Sequence, residues 1–233
     1  MVIINCSVVF SWLDVVYGIP SSPGGALTMT HVLVINSSLD TSGSLSRAMV
    51  DGYLRTHQAL EKAASFTVRD FAAAPLPQMS AGVLPMYLGK PELADPEARA
   101  FCDDLIREIE QSDVIALGLP TYNFMIPASV KLWLDYIVCA GRTFKYTPNG
   151  PQGLLPHGKK VIAFIASGGV YSEGEGEKLD YVLPYLKTIF GLIGIIDIQA
   201  VRAEGVAFGD VQAIRATAVA KAVAVARGIA AAG

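Results

Sequence analysis

Three unbroken apolar runs, Val32 to Ile35, Val114 to Leu119 and Val161 to Ala166, restrict what this chain can fold into more than any other feature. A strand with one wet face alternates polar and apolar residues, whereas a run with no polar position has both faces covered, as in a parallel sheet between two helical layers. Phe66 to Asp70 and Ile196 to Ala200 do alternate, which places them at sheet edges. Between the strands the period lengthens to that of a helix. Leu45, Met49 and Tyr53 recur at every fourth position, with Arg47, Asp51 and Arg55 opposite them. Phe101, Leu105 and Ile109 share one side of a helix from about Glu97 to Gln111. Val130, Trp133, Leu134, Ile137 and Val138 form a stripe between Pro127, suited to a first helical turn, and Gly141, a stop. Tyr181 to Phe190, and Asp210 to about Ala231, supply the last two helices. Residues 72–96 and 142–158, rich in proline and glycine, read as long connections. Five strands alternating with helices predict a doubly wound α/β domain with a five-stranded parallel sheet, the apolar strands central, in the order 2-1-3-4-5.

Composition narrows the partners. A chain of 233 residues, 52% hydrophobic and 17% charged, suffices for one domain with a large core, and its formal charge of -3 is spread without like-charge runs. No basic face recommends nucleic acid and no polybasic stretch recommends a membrane, so small molecules are the expected partners. Cys6, Cys102 and Cys139 are widely spaced, with no CxxC and no cysteine–histidine cluster. Neither a disulfide framework nor a metal site is indicated, and a reducing cytoplasm is the expected location. Residues 1–28 read as an extension or a misassigned start, with the domain beginning at Met29: Val2 to Tyr17 is apolar but lacks a basic lead and is broken by Asp14, and a linker-like Gly-Ile-Pro-Ser-Ser-Pro-Gly-Gly follows.

A sheet in this order binds ligands beyond the carboxyl ends of strands one, three and four. Strand one runs into a hydroxyl-rich turn, Ser37 to Ser46, that opens a helix, where free N–H groups and the helix dipole favour an anion. The turn has no lysine and carries Asp40, which suits one terminal phosphate held by neutral donors and not the triphosphate of a Gly-Lys-Ser/Thr loop. Ser44 as an ordinary helix cap is the plain alternative. Strand three delivers Thr121-Tyr122-Asn123-Phe124, a surface for a flat ring. Strand four delivers Ala166-Ser167-Gly168-Gly169, whose glycines let backbone N–H groups approach a developing anion. Taken singly, each could be a packing turn or a simple connection. Their joint occurrence at three neighbouring strand ends argues for a site.

The segments TYNFMIPASVKLWLDYI, AGRTFKYTPNGPQGLL, SGGVY and FGLIGI, spaced as they are, resemble the bacterial FMN-dependent NADH azoreductases, also called NAD(P)H quinone oxidoreductases. The likeness runs from about Met29 to the C-terminus. It implies a flavodoxin-like fold, FMN as cofactor, and a homodimer. It also implies that Ser38, Ser44, Leu45 and Ser46 hold the phosphate, while Thr121, Tyr122, Asn123 and Phe124, together with Ala166, Ser167, Gly168 and Gly169, hold the isoalloxazine. Two positions depart from the family pattern: Thr121 stands where methionine is usual, and Ser167 where arginine is usual.

The expectation is therefore a flavoenzyme that takes hydride from NAD(P)H and passes it, by ping-pong kinetics, to a quinone or, in two cycles, to an azo bond. Phe144, Tyr146 and Phe190 are candidate walls of the substrate cavity, with core packing as their alternative. No catalytic acid is evident, since His31 and His57 read as structural and His157 has no acidic partner. Two rivals are a flavodoxin-type electron carrier and a nucleotide-binding regulator lacking flavin.

Overall fold

A computed structural model describes residues 29–231; the expected extension over residues 1–28 lies outside the described residues. In chain order the elements are β1 (His31–Asn36), α1 (Leu45–Leu60), β2 (Ser65–Asp70), α2 (Leu84–Tyr87), α3 (Pro96–Gln111), β3 (Val114–Pro120), α4 (Ala128–Ile137), β4 (Phe144–Thr147), β5 (Gly150–Gly153), β6 (Lys160–Ala166), α5 (Val182–Leu192), β7 (Asp197–Ala203) and α6 (Val211–Ala230). Five strands make one parallel sheet in the order β2-β1-β3-β6-β7.

The expected order 2-1-3-4-5 is not what this chain gives. Residues 142–158, read from the sequence as a loop, contain an antiparallel hairpin, β4 with β5, so the last two places in the large sheet fall to β6 and β7. Four-residue strands with Pro151 and two glycines carry almost no strand signature. Proline is tolerated there because each hairpin strand has a free edge. The hairpin lies flat on the loop after α5. A Cβ at Gly153 would come 2.3 Å from the backbone nitrogen of Gly194, so no side chain fits between them. At the far edge β7 runs to Ala203, beyond the expected Ala200.

Alternate residues of each central strand face opposite layers. Leu33, Ile35, Ile115, Leu117, Val161 and Ile165 pack with Leu105 and Ile109 of α3, Trp133 of α4 and Leu186 of α5. Val32, Val34, Ala116, Ile162 and Phe164 pack with Met49 and Tyr53 of α1 and Ala218, Ala222 and Ala226 of α6. That two-sided burial is what the unbroken apolar runs require, and each large side chain so buried contributes roughly 1.5–3 kcal/mol. Caps fix where the helices begin: the carboxylate of Asp95 accepts from the N–H groups of Glu97 and Ala98, that of Asp210 from those of Gln212 and Ala213, and that of Asp180 from those of Val182 and Leu183.

Candidate functional site

The parallel register brings the carboxyl ends of β1, β3 and β6 side by side. Asn36 sits opposite Gly118, and Pro120 opposite Ala166. Backbone bonds continue past the strands: Ser37 N–H donates to the Gly118 carbonyl at 3.2 Å, Thr121 N–H to Ala166 at 2.8 Å, and Ser167 N–H to Ala203 at 2.9 Å. The three segments singled out from the sequence are thus neighbours in space.

The turn after β1 is built by its own polar groups. Asp40 Oδ1 accepts from Ser42 N–H at 2.9 Å and Gly43 N–H at 2.8 Å, and these bonds hold its carboxyl below the usual carboxylate range. Ser44 caps α1, its Oγ accepting from Arg47 N–H at 3.3 Å, so the plain capping role is real. Capping uses a lone pair of Ser44 Oγ and not its hydroxyl proton. The N–H groups of Ser44, Leu45 and Ser46 have no acceptor among the described residues, as a helix start implies. Ser46 is fully buried with its Oγ 3.0 Å from that of Ser44, so its hydroxyl stands behind Ser44 and away from solvent. Arg47 braces the turn from beneath. Its guanidinium donates two bonds to Asp70, at 2.6 and 2.7 Å, and one to the Ser38 carbonyl at 2.8 Å. The bond to Arg47 holds the Asp70 carboxyl low, and the same bond holds the Arg47 guanidinium high.

The turn after β3 is held differently. Tyr122 and Met125 exchange backbone bonds at 3.0 Å in both directions, closing a two-residue hairpin with Asn123 at φ 49° and Phe124 at φ 66°. Positive φ at both central residues marks a type I′ turn, which asparagine tolerates. A bulky phenylalanine there is strained by roughly 1–3 kcal/mol. It is also exposed, with 46% of its surface accessible, and its ring meets that of Tyr171 edge-on at 5.9 Å. Tyr122 is exposed as well, and its hydroxyl accepts from Leu39 N–H at 3.4 Å, linking the first and third strand ends. Leu39, Val170 and Tyr181 are further exposed apolar residues on the segments that follow β1 and β6. Exposed apolar groups beside a strained turn make this a candidate binding surface.

After β6, Ser167 Oγ donates to the Gly169 carbonyl at 2.8 Å. The carbonyls of Ser167, Gly168 and Gly169 accept from Val206, Ala207 and Gly205, whereas the N–H groups of Gly168 and Gly169 have no acceptor among the described residues. A Cβ at Gly169 would press on the Tyr171 ring at 2.9 Å. One at Gly168 would meet only the Ala207 methyl, at an ordinary 3.5 Å, so nothing within the chain demands glycine there. The hydroxyl of Thr121 is buried without a partner, a polar group the chain itself leaves unmatched. Donors at a helix start, a flat apolar platform and free backbone N–H groups beside it fit the phosphate, rings and polar edge of FMN. The structure brings the three segments that hold Ser38, Ser44, Leu45 and Ser46, Thr121 to Phe124, and Ala166 to Gly169 to adjoining strand ends.

The substrate-wall expectation needs correction. Phe190 is wholly buried, its ring 6.3 Å from that of Trp133, and it belongs to the core. Phe144 is 6% exposed and packs edge-on against Tyr146 at 5.2 Å, which leaves only Tyr146, on the hairpin, facing solvent. Helical spacing cannot say which way Phe190 points. A concavity of about 850 Å³ between β7 and α6 is lined by residues such as Arg202, Glu204 and Thr217, and reaches Val170 and Ser172 on the segment that follows β6. At the strand ends Leu39, Tyr122, Phe124 and Val170 present exposed apolar surface.

A family model described as flavodoxin-like fold matches residues 30–226. An FMN-dependent NADH:quinone oxidoreductase of Herminiimonas arsenicoxydans is 42% identical over 184 residues, covering 78% of this chain and 90% of the relative. An FMN-dependent NADH:quinone oxidoreductase 2 of Pseudomonas putida is 41% identical over 181 residues, covering 76% and 88%. Among solved structures, an FMN-dependent NADH-azoreductase from Bacillus anthracis in complex with FMN superposes with a TM-score of 0.79 at 26% identity, covering 87% of this chain and all of that one. The chain belongs to the flavodoxin-like family, in the branch that holds the FMN-dependent NADH:quinone oxidoreductases.

Proposed function

We propose that this protein is an FMN-dependent NADH:quinone oxidoreductase that also cleaves azo compounds. The observation that carries the reading is the convergence, at three adjoining strand ends, of unpaired N–H groups at the start of α1, an exposed aromatic turn, and two glycines with free N–H groups. When bound, FMN supplies two-electron chemistry, accepting hydride from a nicotinamide and passing it to an electron-poor acceptor. The chain supplies the setting. Ser44 and the amides behind it hold the phosphate, Tyr122 and Phe124 stack and exclude water, and the amides of Gly168 and Gly169 favour negative charge on the ring edge.

Donor and acceptor use one open face in turn, which supports ping-pong kinetics. A quinone takes one cycle, and an azo bond, needing four electrons, takes two. Protons come from solvent, because no histidine lies at these strand ends: His31 begins β1 and bonds Ser65 and Thr67, His57 is buried, and His157 precedes β6. An open platform is closed most simply by a second copy of the chain, so the working form is a homodimer. Among the described residues no helix is long and apolar enough to cross a membrane, and a cytoplasmic location fits this reading.

The test is direct. Purified protein should be yellow or bind added FMN, its absorption should bleach with NADH, and NADH oxidation should accelerate with menadione. Bleaching without menadione turnover would favour an electron carrier, and protein that refuses FMN would overturn the redox reading.

A further inference from the structure

The serine turn presents an electrostatic puzzle. It carries a carboxylate, Asp40, where a phosphate dianion is to be bound, and like charges so close oppose binding. The cation nearest the turn in sequence, Arg47, is committed to Asp70 by two bonds. The compensating charge arrives from the other end of the chain: Arg215, on the second turn of α6, donates through Nη2 to the carbonyl of Gly43. It makes no ion pair with a carboxylate among the described residues. Gly43 is the residue whose N–H Asp40 accepts, and a Cβ on it would stand 2.7 Å from Asp40 Oδ2, so the Gly43 peptide lies between the two charges. Arg215 is close enough to add to the lowering of Asp40, after the Gly43 and Ser42 bonds.

We propose that Arg215 is a positioning residue for the cofactor phosphate: it fixes the Gly43 carbonyl away from the helix start and offsets Asp40, so that the turn selects phosphorylated flavin over riboflavin. This rests on the reading that the turn binds the FMN phosphate. Arg215 acts through the turn and not by touching the reacting atoms.

Apoprotein is titrated with FMN and with riboflavin, following flavin fluorescence, for wild type, Arg215→Gln, Arg215→Lys, Asp40→Asn and the Asp40→Asn/Arg215→Gln pair. Arg215→Gln is expected to weaken FMN roughly 5- to 10-fold while riboflavin changes by less than about twofold. Arg215→Lys keeps most of the preference. Asp40→Asn retains its Oδ1 acceptor, binds FMN more tightly by itself, and restores FMN affinity when paired with Arg215→Gln. Equal losses for both flavins, no loss for either, or no rescue in the pair would overturn the inference. A wild type that binds riboflavin as tightly as FMN would overturn the phosphate reading beneath it. If Arg215→Gln fails to fold, Asp40→Asn alone decides, since an unchanged FMN-to-riboflavin ratio there is also disproof.

Discussion

The serine turn and the aromatic turn end adjacent strands, yet they are held by opposite means. In the first, Asp40, Ser44 and Arg47 satisfy the backbone from several directions in ordinary conformations. In the second, two backbone bonds close a loop whose phenylalanine adopts a dihedral it disfavours and turns its ring to solvent. A phosphate has a fixed shape and charge and is best met by donors already in place. A ring face needs a smooth apolar surface, and a strained turn provides one by forcing side chains outward that would otherwise pack inward.

Four substitutions would break or sharpen this contrast. The most damaging concerns a ring that does pack inward. Phe190→Ala should cost about 3–5 kcal/mol of stability through the cavity it leaves, seen as a lower denaturant midpoint, with the KM for menadione unchanged in protein that stays folded. A changed KM at unchanged stability would return Phe190 to the substrate site.

Next comes the brace under the serine turn. Arg47→Met strands the partly buried Asp70 and should cost about 2 kcal/mol. The pH dependence follows from the depressed Asp70 carboxyl. Its contribution is complete above the unfolded value near 4, and is lost as pH falls through the lower folded value. Thermal melts across that window should therefore converge for wild type and variant at the acid end. Curves that keep a constant offset would mean that the loss does not come from the ionised pair.

Phe124→Gly has the opposite sign. Relief of the positive φ should raise stability by about 1 kcal/mol, while menadione turnover falls as the platform is lost. A stability loss would show that the turn is not strained. The mildest change, Ser44→Ala, should remove about 1 kcal/mol or less of cap energy from α1 and weaken FMN more than riboflavin. An equal effect on both flavins would reduce Ser44 to a cap alone.

Much of this was legible beforehand, for reasons particular residues make clear. Val114 to Leu119, with no polar position, could only be a strand buried on both faces. Ser44 before Leu45 announced a helix start, and Trp133 with its neighbours a helix face. What could not be read depends on distance or direction. The β4–β5 hairpin has neither length nor alternation enough to betray itself. The inward turn of Phe190 is set by how α5 docks on Trp133. Arg215 meets Gly43 across most of the chain, and no local pattern near either residue signals the other. Candidates contiguous with strand ends could be named from the sequence, whereas contacts brought about by packing could not.

The placement of α6 has a consequence for how the protein is made. Its alanines cover the apolar side of α1, so α1 finds its lid only when α6, more than 150 residues later, emerges. Until then Met49 and Tyr53 have an uncovered flank and the serine turn lacks its distant arginine. Nascent chains halted before residue 211 should consequently be sticky and slow to capture cofactor, and flavin uptake would report the completion of synthesis.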